Sequence, residues 1–353
     1  MTLIQTSAVK CATNVAAISM FVLCGSVASA LFSATARAAD SGAAVEQSPA
    51  AWLDRMNVAF AELDYDGVFS YWSSGNMASL RVVHVAKNDM EHERLVHLNG
   101  APREIVRDGD KVLCIMQPGD RLLSVGSSIP AGPFAKAFLR DFSAVANNYE
   151  LAMKGEDRIA ARPAVRMTVM PKDEHRYGYR LWIDKETGLL LKSELMDEAQ
   201  HAALEVFQFN QLRLGGDVSA DALTPVKPSG SVLHHLRVAN ESESAIKAET
   251  EVKWHADWLP EGFEMAASDL RHAPATKQDV STLMYSDGLA AISVFVEDLP
   301  NDAATNMLSR KGATVSVTRR VTGPNEAHHL VTVIGEVPPE TATAIASNVS
   351  YSN

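Results

Sequence analysis

The chain is poor in cysteine, in basic charge and in long unbroken apolar runs, and each shortage narrows what it can be. Of 353 residues only Cys11, Cys24 and Cys114 are cysteine. Lys10 precedes an apolar, small-residue run from Cys11 to Ala36 that ends in Ala36-Arg37-Ala38, the small-x-small form that signal peptidase accepts. Cleavage is predicted near Ala38, removing residues 1–38. Thr13, Asn14, Ser19, Gly25, Ser26 and Ser29 dilute the run below the roughly 20 apolar residues of a spanning helix. Leu23 stands directly before Cys24, where a lipoprotein cleavage site needs a small residue. The mature chain then keeps Cys114 alone, so no internal disulfide can form even in a compartment that allows one. Its setting, Val112-Leu113-Cys114-Ile115-Met116, predicts a buried structural thiol.

The shortage of basic charge excludes nucleic acid as a partner. Without residues 1–38, 30 Lys and Arg face 43 Asp and Glu, a formal charge of −13. Nucleic-acid affinity comes largely from basic contacts to phosphate, whereas an acidic surface steers basic polypeptide segments inward.

The motifs of catalysis are missing too. The sequence has no Gly-x-Ser-x-Gly, no phosphate loop ending in Gly-Lys-Ser/Thr and no Gly-x-Gly-x-x-Gly after a strand. His92 and His97 are five apart, not the four that brings two ligands to one side of a helix. His234-His235 and His328-His329 are adjacent pairs, read as polar surface pairs. No catalytic residue, metal or cofactor is expected, and the chain is read as a binding protein rather than an enzyme.

What is present is periodicity. Trp52, Met56, Ala59, Phe60 and Leu63 form a helical stripe with Pro49 placed for its first turn. After Asp66-Gly67 the period becomes two. Strands are predicted at 68–72, 80–86, 94–98, 104–107, 112–116 and 121–125, separated by turn residues such as Asn99-Gly100 and Asp108-Gly109-Asp110. A helical stretch over 133–149 follows, and then strands at 149–153, 164–170, 177–183, 189–195 and 205–212. No crossover helices lie between the strands, so the sheet is antiparallel. About eleven strands over 49–214 with two helical excursions predict one curved, unclosed sheet covered by helices. Residues 216–250 read as a linker, with a short helix around 232–238. The segment 251–353 reads as a second, smaller α+β domain: strands at 265–270, 280–285, 290–297, 313–321 and 328–334, and a last helix over 339–348.

The first domain carries much aromatic material. For any one residue an ordinary core is the simpler account. Collectively, Phe69, Tyr71, Trp72, Phe134, Phe138, Phe142, Tyr179 and Trp182 are candidates to line an apolar groove in a sheet that does not close. Such a groove suits acyl chains. At roughly 0.8 kcal/mol per methylene, a fourteen-carbon chain grosses about 10 kcal/mol before ordering costs. That is comparable with the roughly 8 kcal/mol of a micromolar complex.

Several stretches resemble one family. Ala51-Trp52-Leu53-Asp54-Arg55-Met56 with Leu63-Asp64-Tyr65-Asp66-Gly67, and Asn99-Gly100-Ala101-Pro102-Arg103-Glu104-Ile105-Val106-Arg107, resemble the opening helix and a hairpin of the RseB/MucB proteins. Trp258-Leu259-Pro260-Glu261-Gly262-Phe263, Tyr285-Ser286-Asp287-Gly288-Leu289 and Val333-Ile334-Gly335-Glu336-Val337-Pro338-Pro339-Glu340 are similar to that family in order and spacing. The first-domain pattern alone would also suit lipoprotein carriers of the LolA/LolB type, an alternative that has no need of the second domain. The resemblance implies a LolA/LolB-like half-barrel followed by the small domain. It also implies a periplasmic protein that binds the periplasmic segment of a transmembrane anti-sigma factor (RseA/MucA-like), shields it from regulated proteolysis and represses the sigma-E envelope stress response. Lipopolysaccharide or mislocalised lipoprotein, sensed through its acyl chains, would relieve the shield. Partner contacts are expected on the second domain, with Trp258, Phe263, Tyr285, Asp287 and Phe295 as candidates by placement; formation of a homo-oligomer is left open.

Overall fold

In the computed structural model, residues 47–87, 90–109, 111–118, 145–216, 218–227, 229–237, 252–273, 278–298 and 306–352 are described. The first element is helix α1 (Pro49–Glu62). The Ser48 side chain caps it by accepting from the Ala51 N–H at 3.2 Å, and Pro49 occupies the first turn, where its missing N–H costs nothing. Trp52, Leu53, Met56, Ala59 and Phe60 are buried, the predicted stripe with Leu53 added.

Ten strands follow: β1 (Tyr65–Ser73), β2 (Asn76–Lys87), β3 (Met90–His97), β4 (Glu104–Asp108), β5 (Lys111–Met116), β6 (Tyr149–Ile159), β7 (Arg162–Pro171), β8 (Gly178–Asp184), β9 (Leu190–Asp197) and β10 (Ala202–Leu214). A one-turn helix α2 (Val145–Asn148) precedes β6. With β11 (Val232–Arg237) they form one antiparallel sheet in the order β11-β5-β4-β3-β2-β1-β10-β9-β8-β7-β6. Among the described residues the two end strands, β11 and β6, do not pair, so the sheet is unclosed, as expected. Two predictions, the strand at 121–125 and most of the helix over 133–149, fall outside the described residues.

One expectation is overturned. Residues 232–237 are not a helix but a strand, pairing β5 from Val232↔Met116 to Arg237↔Lys111. The unpaired edge of β5 offers a full row of hydrogen-bonding groups, and that tertiary opportunity outweighs weak local helical preference.

Residues of α1 pack with Phe69, Leu80, Val82, Leu95, Tyr179, Leu181, Phe207 and Phe209 into one core, which defines the inner face of the sheet. The second domain has its own six-stranded antiparallel sheet, β13-β14-β15-β18-β17-β16. Its strands are β13 (Glu264–Ala273), β14 (Gln278–Ser286), β15 (Ala291–Asp298), β16 (Met307–Lys311), β17 (Thr314–Thr322) and β18 (His328–Gly335). Helix α3 (Pro339–Ser347) covers one face, packing Ala342, Ile345 and Ala346 on Val294, Val315, Val317, Val331 and Val333. A two-stranded ribbon of β12 (Trp254–Ala256) and β19 (Val349–Tyr351) ties the entry of this domain to its end.

Met56 is fully buried in the first core. Met56→Ala is expected to cost about 2–5 kcal/mol in urea unfolding, the range for a buried large-to-small change.

Candidate functional site

The two sheets meet along a seam rich in charge and aromatic rings. Its centre is Arg176, in the loop between β7 and β8, whose side chain is wholly buried, as is that of Asp287 in the β14–β15 turn. Nη1 of Arg176 donates to Asp287 at 2.6 Å, and Nη2 donates to the Glu261 carbonyl at 2.6 Å and to Asp173 at 2.9 Å. The Tyr149 hydroxyl donates to the same Asp287 oxygen at 2.8 Å. The guanidinium also lies 5.5 Å from the Tyr149 ring and 5.2 Å from the Phe263 ring. Asp287 in turn fixes its own loop by accepting from the Leu289 and Ala290 N–H groups at 2.9 and 2.7 Å. Burial, then the Asp287 charge, pushes the Tyr149 phenol above its ordinary range, so it stays a donor.

The two domains approach closely beside this centre. Gly262 (φ +83°) stands where a Cβ would run into the Asn148 side chain, so only glycine serves. Leu289 and Ala313 of the second domain are buried in the core cluster of the first. Farther along, Glu205 on β10 accepts from the Tyr71 hydroxyl and, at 3.3 and 3.1 Å, from Ser73 Oγ and the Ala313 N–H. Arg310 reaches Asp197 at 3.5 Å and lies 6.0 Å from the Tyr177 ring.

Among the groove candidates, Phe69, Tyr71 and Tyr179 belong to the inner face. Phe69 is buried against Phe207 and Phe209, with ring centroids 4.8 and 6.0 Å away. Trp72 is adjacent to Tyr71 on one strand, and Trp182 is three residues from Tyr179 on another. Alternation therefore turns both tryptophans to the outer face. There Trp182 Nε1 donates to Asp157 at 2.9 Å, and Lys192 Nζ lies 4.3 Å from its ring centroid. Phe134, Phe138 and Phe142 lie outside the described residues. The inner face along β2–β4 presents Leu80, Val82, Leu95 and Ile105, with a polar end that sequence reading missed. There Tyr65 stacks on His84 at 4.8 Å, and burial pushes the Glu93 carboxyl up to about 7.

Of the partner candidates, Asp287 and Phe263 sit in the seam. Trp258 stacks edge-on against His175 of the first domain at 5.3 Å. Tyr285 is a core residue of the second domain, its hydroxyl accepting from the Ala256 N–H at 3.2 Å. Phe295 is half-buried on the sheet face away from α3, beside Thr282 and Thr332. Sequence reading missed Arg176, Tyr149 and Glu205. Among the described residues no group of three or more His, Cys, Asp or Glu side chains is placed to hold a metal ion.

Residues 48–227 match the MucB/RseB N-terminal domain family, and residues 248–350 match the MucB/RseB C-terminal domain family. The chain belongs to the MucB/RseB family. Sigma factor AlgU regulatory protein MucB of Pseudomonas aeruginosa is 36% identical over 299 residues, 84% of this chain and 89% of that protein. Sigma-E factor regulatory protein RseB of Escherichia coli K12 is 27% identical over 324 residues, 92% and 95% of the two chains. The crystal structure of MucB in complex with MucA(peri) matches with a TM-score of 0.69 at 32% identity, over 87% of this chain and all of that one. MucB crystallised alone matches less well, with a TM-score of 0.58 at the same 32% identity and 85% of this chain covered. The MucB/RseB relatives are thus named as regulators of sigma-E-type factors, in line with a binding protein rather than an enzyme.

Two expected outcomes follow. Arg176→Ala leaves Asp287 buried and unpaired, and should cost about 3–5 kcal/mol, with the two domains unfolding separately in urea followed by tryptophan fluorescence. Glu93 has a folded pKa raised from 4.5 to about 7. Its stabilising contribution is therefore complete below 4.5 and lost as pH rises through 7. Glu93→Gln should accordingly flatten stability between pH 5 and 8 and raise it at pH 8 by roughly 3 kcal/mol, measured by chemical denaturation across that range.

Proposed function

We propose that this chain is an exported periplasmic protein that binds the periplasmic segment of a transmembrane anti-sigma factor of the MucA/RseA kind. Bound there, it shields the segment from regulated proteolysis and represses the sigma-E-type envelope stress response. Acyl chains of lipopolysaccharide or mislocalised lipoprotein, lodged along the inner face of the first sheet, relieve the shield.

The observation that carries this reading is the two-domain arrangement. It is closer to MucB bound to MucA(peri) than to MucB alone, TM-scores of 0.69 against 0.58. The acidic surface supports it, since it attracts a basic segment; on the inner face Leu80, Val82 and Leu95 are buried in the first core, and a hydrocarbon tail would have to lodge against that core. A LolA/LolB-type carrier would share that inner face. It would leave the second domain, matched to the family over residues 248–350, without a task.

Because Asp287 and Phe263 are spent on the seam, the half-buried Phe295 is the candidate contact free of it. Phe295→Asp is expected to weaken binding of a synthetic anti-sigma periplasmic segment at least about tenfold, the size of one interface anchor, with no loss of fold. Titration calorimetry with unchanged affinity would remove Phe295 from the interface; no binding by the unsubstituted chain would remove the function itself. Lipopolysaccharide added to the preformed complex should lower segment affinity, because competition requires a ligand that prefers one of two states.

A further inference from the structure

Among the described residues, each of the two large sheets ends in strands with one unpaired edge: β11 and β6 in the first, β13 and β16 in the second. An unpaired edge invites another strand, so proteins keep such strands short, bulged or charged. β16 has five residues and β11 six, and the register of β6 breaks between Met153 and Glu156. β13 runs for ten. Its one irregularity lies between Met265 and Ala267, and from Ala267 to Ala273 it pairs with β14 without interruption. Every residue from Glu264 to Leu270 is exposed.

The two faces of this strand differ in kind. Met265 and Leu270 stand opposite Tyr285 and Ser281, on the face that carries the second core, yet are 51% and 36% exposed. Helix α3 lies over β17 and β18, the other half of the sheet, and leaves this apolar shelf bare. Glu264 precedes Met265 and Asp269 precedes Leu270, so alternation turns both acids to the opposite face. There Asp269, Thr282 and Phe295 form one row across β13, β14 and β15. Charge is divided along the sheet as well. Residues 264–298 hold six acidic residues against Arg271 and Lys277, whereas residues 306–322, which include β16 and β17, hold four basic residues and no acidic one.

We propose that β13 is the docking edge for the anti-sigma segment, which adds to the six-stranded sheet there as a seventh strand. This mode of docking rests on the binding function proposed above and gives the bound segment its form. Main-chain hydrogen bonds to the open edge hold it, and its side chains alternate. Apolar ones lie on the side of Met265 and Leu270. Basic ones lie on the side of Glu264 and Asp269, drawn by the acidic half of the sheet. The added strand widens the face that carries Phe295. β16 is the poorer edge for such a segment, because like charges set side by side across strands repel.

The test follows amide hydrogen exchange of residues 264–273 in the mature chain. The probes are a synthetic anti-sigma periplasmic segment and, separately, a blocked octapeptide of alternating valine and lysine. Alternate amides of an edge strand point outward, and these should exchange at least about tenfold more slowly with either peptide bound. A valine–glutamate octapeptide should leave exchange unchanged. Of the adjacent Ala267 and Ser268, one N–H faces β14 and the other faces out, so Ala267→Pro and Ser268→Pro separate the two roles. The variant that keeps its fold by circular dichroism has lost an outward donor, and should bind both peptides about tenfold more weakly in titration calorimetry.

Unslowed exchange with the segment bound, or full affinity in the folded proline variant, would overturn the docking edge, and the exchange arm stands even where neither variant folds. Equal protection by the valine–glutamate peptide would overturn the choice of a basic partner. Protection by the valine–lysine octapeptide beside a segment that does not bind would remove the anti-sigma function and leave the edge a site for basic strands. A segment that binds without slowing β13 would leave that function and remove the edge alone.

Discussion

The structure depends on the burial of one guanidinium. Stripping Arg176 of water costs several kcal/mol, and the groups that offset this come from both domains: Asp173 and the Tyr149 ring from the first, Asp287, the Glu261 carbonyl and the Phe263 ring from the second. Neither domain could hold the charge dry by itself. A buried ion pair is a weak source of net stability compared with apolar packing, yet it is demanding about geometry. It therefore specifies how the domains face each other more than how firmly they hold.

The surrounding fold was largely legible. The stripe of Trp52, Met56, Ala59 and Phe60 marks α1 because a period of 3.6 has one simple solution. Alternation in Val315, Val317 and in Val331, Val333 marks β17 and β18 because one face of that sheet is covered by α3. Residues 232–237 were misread as helix because their pairing to β5 is a tertiary event with no local trace. The short strands β12, β16 and β19 are too brief for any period to emerge.

The site was legible in part. Trp258, Phe263 and Asp287 fall where the domains meet, since the segments around them carry the family resemblance. Trp72 and Trp182 were grouped with Tyr71 and Tyr179 by composition, although strict alternation along β1 and β8 already separates them. Arg176 and Glu205 were out of reach. Each is an ordinary charged residue in its local sequence, and only the packing of two sheets brings Glu205 to the Ala313 amide or Arg176 to Asp287.

The strand β11 has a consequence for how far the molecule can come apart. By pairing with β5 it fastens the outgoing chain to the far border of the first sheet, so residues 238–251 are all that join it to the second domain. Fully extended, that stretch reaches at most roughly 50 Å. A second domain released from its neighbour is thus held like a dog on a short leash, at an effective concentration on the order of millimolar. Reunion is a unimolecular event that dilution cannot slow, and even a modest bias in the contacts decides which arrangement prevails.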